Sequence, residues 1–212
     1  MDHVRLAVLI TSMLSSLIYC QIAHDFSELP EKVRFMLGNT TKLLNSTERL
    51  VLSYGLGGPM RDYRLCWTSQ KNENTSLGIH HEIHFMTNET AQPGSNFTEV
   101  RLQSVYYVAP QNKTPTVLLR VHGGLAATEL DDDYALLAGN PNCFVMGVTR
   151  QTPTKHQKKC LFWMRESAPW RECQECDQAF YDNCSSLVGV FYSVRKYWNN
   201  CNFSRPHHHS AI

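Results

Sequence analysis

The chain has 212 residues, with 20 basic and 19 acidic side chains and a hydrophobic fraction of 42%. This length and composition suit one globular domain with a single core. The charge balance is close to neutral and contains no polybasic run, so the sequence gives no indication of a nucleic-acid partner or of binding to a membrane surface.

The N-terminus has the pattern of a secretory signal peptide. Arg5 precedes an apolar run over residues 6–19. As a helix this run would be about 21 Å long, short of the roughly 30 Å hydrocarbon core of a bilayer. We predict a signal peptide at residues 1–20, cleaved between residues 16 and 23, with an uncleaved anchor as the alternative. One domain over 21–204 and a flexible tail at 205–212 would follow, and the mature protein would be extracellular.

A short helix and a series of strands are predicted next in the chain. Phe26, Leu29, Val33 and Met36 recur at helical spacing and predict a helix over residues 26–37. Short β-rich runs separated by Gly and Pro then predict eight or nine strands. The runs lie at residues 48–54, 63–69, 78–86, 98–109, 116–123, 133–139, 143–150 and 159–164.

The end of the chain changes its period. From Asp177, apolar residues recur at steps of three and four, which predicts one amphipathic helix that ends near Asn199, before Pro206. Many antiparallel strands followed by one helix indicate a mainly β protein, an eight-stranded antiparallel barrel with the C-terminal helix packed on its wall. A barrel of this size can hold one small ligand.

Eight Asn-x-Ser/Thr acceptor sites support secretion, because N-linked glycans are added only in the secretory pathway. None has proline in the middle position, and eight is more than the composition alone would give. A glycan cannot be packed into a core, so each acceptor is also predicted to lie at the surface. The acceptors are Asn39, Asn45, Asn74, Asn88, Asn96, Asn112, Asn183 and Asn202.

Four of the eight cysteines lie between residues 159 and 184, in the stretch KCLFWMRESAPWRECQECDQAFYDNC. A zinc site would need a second ligand pair beside Cys173-x-x-Cys176, and a thioredoxin-like site would need a βαβ pattern around it. Neither is found in the sequence. In an oxidising compartment, disulfide bonds are the preferred interpretation.

The segment DDDYALLAGNPNCFVMGVTR, with the following KCLFWM and the later C…F…C pattern, resembles the secreted lipocalins of tick saliva, the histamine-binding-protein-like family. The resemblance covers most of the mature chain and implies a lipocalin barrel. Amine-binding members of that family carry acidic residues on two adjacent strands, where this sequence has Phe144 and Leu161. A carboxylate is what holds a protonated amine in a dry pocket. The replacements therefore favour an eicosanoid or another lipid over histamine.

The resemblance also implies two disulfide bonds, Cys143–Cys176 and Cys66–Cys201. Cys160 and Cys184 would then form a third bond from the Trp163 strand to the helix. Cys173 is left over, with Cys20 as a partner only if cleavage leaves Cys20 in the mature chain.

Several aromatic and apolar residues of the strands could line a ligand site inside the barrel. The alternative is that they only form the core of the barrel. Only alternate residues of a strand can face inward. Tyr107 is a further aromatic residue that could line such a site. The candidate ligand-binding residues are Trp67, Tyr106, Phe144, Leu161 and Trp163.

Two polar groups are further candidate sites. The run at residues 78–86 alternates, with Ile79, His81, Ile83 and Phe85 on one face. His80, Glu82 and His84 share the other face and could hold a polar ligand or metal, with a solvated outer face as the alternative. The acidic run at residues 131–133 could meet a cation or be merely solvated. No nucleophile elbow or phosphate-binding loop is found in the sequence, so we predict no enzyme, no metal and no cofactor.

These observations leave two main hypotheses. The first is a monomeric scavenger that sequesters a small-molecule host mediator and so suppresses inflammation or haemostasis. The second is a lipocalin scaffold whose outer surface binds a host protein, such as a complement or immune component. A closed barrel filled by side chains would favour the second hypothesis.

Overall fold

A computed structural model describes residues 28–75, 78–88, 96–111, 113–148, 158–197 and 201. The helices among these residues are α1 (Glu31–Leu44), α2 (Gly124–Leu130), α3 (Gln174–Cys184) and α4 (Val194–Tyr197), with a 3-10 helix at Trp170–Cys173. The strands are β1 (Leu50–Gly57), β2 (Arg64–Thr75), β3 (Gly78–Thr87), β4 (Thr98–Gln111), β5 (Thr114–His122), β6 (Asp132–Gly139), β7 (Cys143–Val148), β8 (Lys159–Arg165) and β9 (Phe191–Ser193). The predicted mainly β fold is confirmed.

The first eight strands close into an antiparallel barrel. Neighbours along the chain pair with one another from β2 to β8, and β1 closes the ring by pairing with both β8 and β2. The β1–β2 pairing is short, at Leu50 opposite Ser69 and Val51 opposite Thr68. Beyond it β1 pairs instead with β9, with Tyr54 opposite Ser193. A short strand from the C-terminal part therefore covers the edge of β1 that β2 leaves open.

Strand periodicity decides which side chains face the interior. In β3 the residues at 81, 83, 85 and 87 are buried, and those between them are half-buried. This confirms the alternation predicted for residues 78–86. Successive side chains of a strand point to opposite faces, and here one face lies inside a closed barrel.

Buried side chains fill the inside of the barrel and both of its ends, and we call this group the interior core. Leu43 and Leu44 at the end of α1 are completely buried in it at one end. At the other end, which we call the mouth, Met60 from the β1–β2 loop and Ala127 and Leu130 from α2 join the same group. The structure thus closes the barrel at both ends with its own side chains.

A second buried cluster, the wall core, lies between α3 and the outside of the barrel. Phe180 of α3 packs against Tyr54 and Phe162, with ring centroids 5.4 and 6.4 Å away. Phe162 lies in β8 between Leu161 and Trp163, both of which belong to the interior core. One strand therefore serves both cores through its two faces.

Three disulfide bonds are present among the described residues: Cys66–Cys201, Cys143–Cys176 and Cys160–Cys184. Two of them join α3 to the wall, through β7 and β8. The first joins β2 to the residues after α4. All three bonds were predicted, two from the family resemblance and Cys160–Cys184 from the cysteines that remained. Cys173 is buried without a disulfide partner in the described part, and Cys20 lies outside it.

The prediction of one long C-terminal helix from Asp177 to Asn199 is wrong. The helix ends at Cys184, and β9 and the four-residue α4 follow. Gly189 lies so close to Gly57 that a Cβ atom would come within 2.8 Å of the Gly57 Cα. This approach, with the bond from the Gly57 amide to the Val190 carbonyl, brings the segment onto the barrel as a strand.

The N-terminal helix was predicted five residues too early, since it begins at Glu31 rather than Phe26 and continues to Leu44. Pro30, with an extended ψ of 142°, is the residue before its first turn. Helix α2 was missed because Gly123 and Gly124 indicate a turn. The structure places a two-turn helix directly after that turn. The predicted signal peptide and tail lie outside the described residues.

Candidate ligand-binding site in the barrel

The candidate ligand-binding residues come together inside the barrel. All of them belong to the interior core and are completely buried: Trp67, Tyr106, Phe144, Leu161 and Trp163. Tyr107 lies on the opposite face of β4 and is 37% exposed, as the alternation of a strand requires. The interior is therefore apolar, with aromatic side chains among a larger number of aliphatic ones. The role of these residues in binding remains a prediction.

Two parts of the wall define the shape of this interior. The rings of Trp67 and Phe85 are stacked with centroids 4.1 Å apart. Across the barrel, strand register places Trp163 beside both Leu52 and Phe144. Phe144 and Leu161 are thus both apolar side chains that face inward.

A short chain of hydrogen bonds crosses the interior beneath α1. The Nε2–H of His81 donates to the Leu44 carbonyl at 2.8 Å, because a carbonyl can only accept. His81 Nδ1 is then the acceptor for the Ser69 hydroxyl at 2.9 Å, and the Tyr106 hydroxyl lies 3.4 Å from Ser69 Oγ. Burial lowers the pKa of His81 to about 4, so this imidazole is neutral at physiological pH.

Several buried side-chain atoms in the described part of the chain have no hydrogen-bond partner, and one of them belongs to a candidate ligand-binding residue. The indole Nε1–H of Trp163 is buried and makes no hydrogen bond. A buried donor without an acceptor costs about 1–3 kcal/mol. By contrast, Trp67 Nε1 donates to the Arg64 carbonyl at 3.3 Å. The indole N–H of Trp163 is thus a buried donor without an acceptor among the described residues.

Two carboxylates count as buried in the described part of the chain, Asp132 and Glu166, and neither lies in the middle of the barrel. Asp132 pairs with Lys159 at 3.1 Å at the mouth. Glu166 pairs with Arg49 at 2.6 Å at the opposite end. Each carboxylate is neutralised by a basic side chain of the protein itself.

The mouth holds a cluster of charges that sequence reasoning did not predict. Glu129 of α2 binds two arginines of the β1–β2 region, with Arg64 at 2.9 Å and Arg61 at the other carboxylate oxygen. The ammonium of Lys159 donates to the Glu129 carbonyl and lies 5.2 Å from the Tyr134 ring. These residues are far apart in sequence, so no local pattern could have joined them.

The histidine group lies on the outside, whereas the acidic run is divided between the outside and the mouth, where Asp132 is buried. His84 lies between Glu82 (2.6 Å) and Glu99 (2.9 Å) on the outer face of β3 and β4. In the acidic run, Asp133 pairs with Arg120 at 2.6 Å. Among the described residues there is no group of three or more His, Cys, Asp or Glu side chains arranged to hold a metal.

Among the described acceptor asparagines, Asn45, Asn96 and Asn183 are exposed, while Asn39 and Asn88 are half-buried. Whether they carry glycans remains a prediction.

The helices in the described ranges are all too short or too polar to cross a bilayer.

A closed eight-stranded antiparallel barrel with an apolar interior, a helix at one end and a helix on the wall is the architecture of a lipocalin. The strand order, the closure and the two helices of this chain are those of the lipocalin fold.

No family model and no curated protein matches the chain. Among solved structures it is similar to Japanin from Rhipicephalus appendiculatus bound to cholesterol, at 15% identity and a TM-score of 0.49, over 70% of this chain and 94% of that one. It is also similar to apocrustacyanin C1, at 12% identity and a TM-score of 0.48, over 78% of this chain and 86% of that one. Lobster apocrustacyanin A1 matches over the same shares of the two chains, at 9% identity and a TM-score of 0.46.

Proposed function

We propose that this protein is a secreted lipocalin of the tick-saliva, histamine-binding-protein-like family, and that it sequesters a small apolar mediator of the host. The mediator is derived from a fatty acid and is not an amine. Removing it would suppress inflammation or haemostasis. The protein acts as a monomer and by binding alone, without catalysis, metal or cofactor.

The observation that carries this proposal is the absence of a carboxylate from the middle of the barrel in the described residues. Phe144 and Leu161 face inward where amine binders carry acids, and both are completely buried. A protonated amine would lose its hydration there without gaining a counter-charge, which costs several kcal/mol. A hydrocarbon chain in the same space has no charge to lose from hydration, and its contacts with these side chains are apolar on both sides.

The unpartnered Nε1–H of Trp163 supports a ligand that also carries an oxygen acceptor. An oxygenated lipid would satisfy this donor, whereas a pure hydrocarbon would not. Leaving a buried polar group unpaired is what allows a site to reject an analogue that lacks the matching group.

Native mass spectrometry of the refolded protein with amines, eicosanoids and plain fatty acids tests the proposal. We expect retention of oxygenated lipids and no saturable histamine binding by calorimetry. Trp163→Phe keeps an aromatic ring and removes the N–H donor. It should therefore lower the affinity for oxygenated lipids more than the affinity for their unoxygenated counterparts. Tight histamine binding would contradict the proposal, as would equal losses for both lipid classes.

The second candidate function is the binding of a host complement or immune protein through the outer surface. It is favoured by the closure of the barrel by Leu44 at one end and by Met60 and Leu130 at the other. A ligand must displace some of these side chains to enter. Surface binding would be supported if a complement or immune component binds equally well to lipid-free protein and to protein saturated with lipid, and if no small molecule changes its affinity.

A further inference from the structure

A groove of about 390 Å³ lies between α1, the turn that follows β6 and the first turn of α3. Gly139, the last residue of β6, is one of the residues that line it. A Cβ atom on Gly139 would come within 3.0 Å of the Met36 carbonyl oxygen, so α1 packs directly on the end of the strand. The groove is therefore formed by elements that are in close contact.

The α1 side of the groove carries an aromatic side chain that is largely open to water. Phe35 is 62% exposed, whereas its neighbour Met36 is half-buried and packs against the interior core. Asn39 lines the groove one turn further along the helix. Side chains of a helix lean toward its N-terminus, over the residues three and four positions earlier. The side chain of Asn39 is thus directed over Met36 and Phe35.

Asn39 is also the acceptor residue of the sequence Asn39-Thr40-Thr41. The other two residues of this acceptor site do not line the groove: Thr40 is completely buried, and the Thr41 hydroxyl donates to the Leu37 carbonyl at 2.9 Å. Among the acceptor asparagines in the described ranges, Asn39 alone lines this groove. A glycan on its side-chain nitrogen would begin inside the groove.

We propose that the N-linked glycan of Asn39 binds in this groove, with the ring of its first sugar against Phe35 and its hydroxyl groups at the polar rim. The inference goes beyond the proposed function and rests on secretion alone, because the glycan must first be attached. The groove is then a carbohydrate site whose ligand is covalently bound to the same chain.

The chemistry of the groove suits a sugar. A pyranose ring has a face of C–H groups, whose partial positive charge is attracted by the negative face of an aromatic ring such as Phe35. Its hydroxyl groups are donors, and the carboxylates of Glu31 and Glu175 in the groove lining are acceptors for them. Because the sugar is attached at Asn39, its effective concentration at the groove is high, and contacts that are weak for a free sugar are sufficient.

The first test measures the release of individual glycans from native protein made in a eukaryotic secretory host. A glycan amidase converts each acceptor asparagine to aspartate, and trypsin then separates Asn39 (residues 35–42) from Asn45 (residues 43–49). Asn45 is exposed and serves as the reference, with Asn183 in its place if Asn45 is unmodified. We expect release at Asn39 to be at least about fivefold slower in native protein and equal after unfolding, since release requires the glycan to leave the groove.

The second test is a double-mutant cycle in urea unfolding of the same glycoprotein. Phe35→Gln and Asn39→Gln should each destabilise the wild type. Once the glycan is absent, Phe35→Gln should have little further effect, so that the two changes are coupled by about fivefold in the equilibrium constant for unfolding. Asn45→Gln is the matched control, because it removes an exposed acceptor at the end of the same helix and should show no coupling to Phe35→Gln.

An unmodified Asn39 in protein that carries glycans elsewhere would overturn the inference and leave the groove to another occupant, such as a protein partner. Equal release at Asn39 and Asn45, or additive effects of the two substitutions, would also overturn it. Protein from a secretory host without any glycan would contradict the expected glycosylation as a whole, and none of these results bears on lipid binding in the barrel.

Discussion

Replacement of His81 by glutamine should remove a large part of the acid sensitivity of this protein. His81 is completely buried, and its two ring nitrogens bond to the Leu44 carbonyl and the Ser69 hydroxyl. Burial lowers the pKa of the imidazole from 6.5 to about 4. A glutamine amide can still donate to the carbonyl but does not titrate.

The magnitude follows from proton linkage. Between pH 6.5 and about 4 the unfolded chain binds a proton at His81 and the folded chain does not. The free energy of unfolding is therefore highest, with respect to His81, above pH 6.5. It falls as the pH is lowered from 6.5 to about 4. Each pH unit costs about 1.4 kcal/mol, so the whole window costs roughly 3 kcal/mol. That is a large fraction of the roughly 5–15 kcal/mol that stabilises a typical domain.

Urea unfolding followed by tryptophan fluorescence at several pH values between 7.5 and 4.5 measures this effect. The wild type should lose stability about 1.4 kcal/mol per pH unit faster than His81→Gln below pH 6.5. His122→Gln, which removes an exposed imidazole, serves as the control and should follow the wild type. Because other titrating groups are common to all three proteins, parallel curves for wild type and His81→Gln would refute the reasoning.

Three further predictions concern cysteines and glycans. Burial raises the pKa of the Cys173 thiol to about 12, so protein without a Cys20–Cys173 peptide in its unreduced digest should react with a thiol reagent at Cys173 only after unfolding. Labelling of that protein in its native state would contradict this. Replacing Cys66 and Cys201 by alanine opens a bridge that spans 135 residues and should cost about 5 kcal/mol in urea unfolding by loop-closure entropy, so a loss below about 2 kcal/mol would argue against that account. Protein from a eukaryotic secretory host should lose apparent mass on glycosidase treatment, and unchanged gel mobility would show that the acceptor sites are unused.

Strand periodicity predicted much of the barrel correctly, because a period of two places side chains on defined faces wherever one face is buried. The alternation at residues 78–86 predicted that His81, Ile83 and Phe85 share a face, and all three are inside. The eight strand runs were likewise found close to their predicted positions. Local pattern and turn residues are sufficient for most of these elements, since β2 to β8 pair with their neighbours along the chain.

The C-terminal part shows where local pattern fails. Residues 187–198 recur at helical spacing, yet Phe191–Ser193 form a strand. The reason lies in β1, which pairs with β2 only at Leu50 and Val51 and then leaves its edge unpaired. Unpaired backbone groups at that edge provide hydrogen bonds that a helix in this segment could not use, and tertiary pairing overrides the spacing.

The class of fold and the inward face of the strands could be predicted from residue pattern alone, and Phe144 and Leu161 could be recognised as apolar residues on adjacent strands. Only the tertiary structure decided which polar groups meet inside the barrel. His81 reaches the Leu44 carbonyl across 37 residues, and Arg64 reaches Glu129 across 65. No spacing rule connects such distant positions, because their contact depends on barrel closure and on where α1 and α2 lie across its ends.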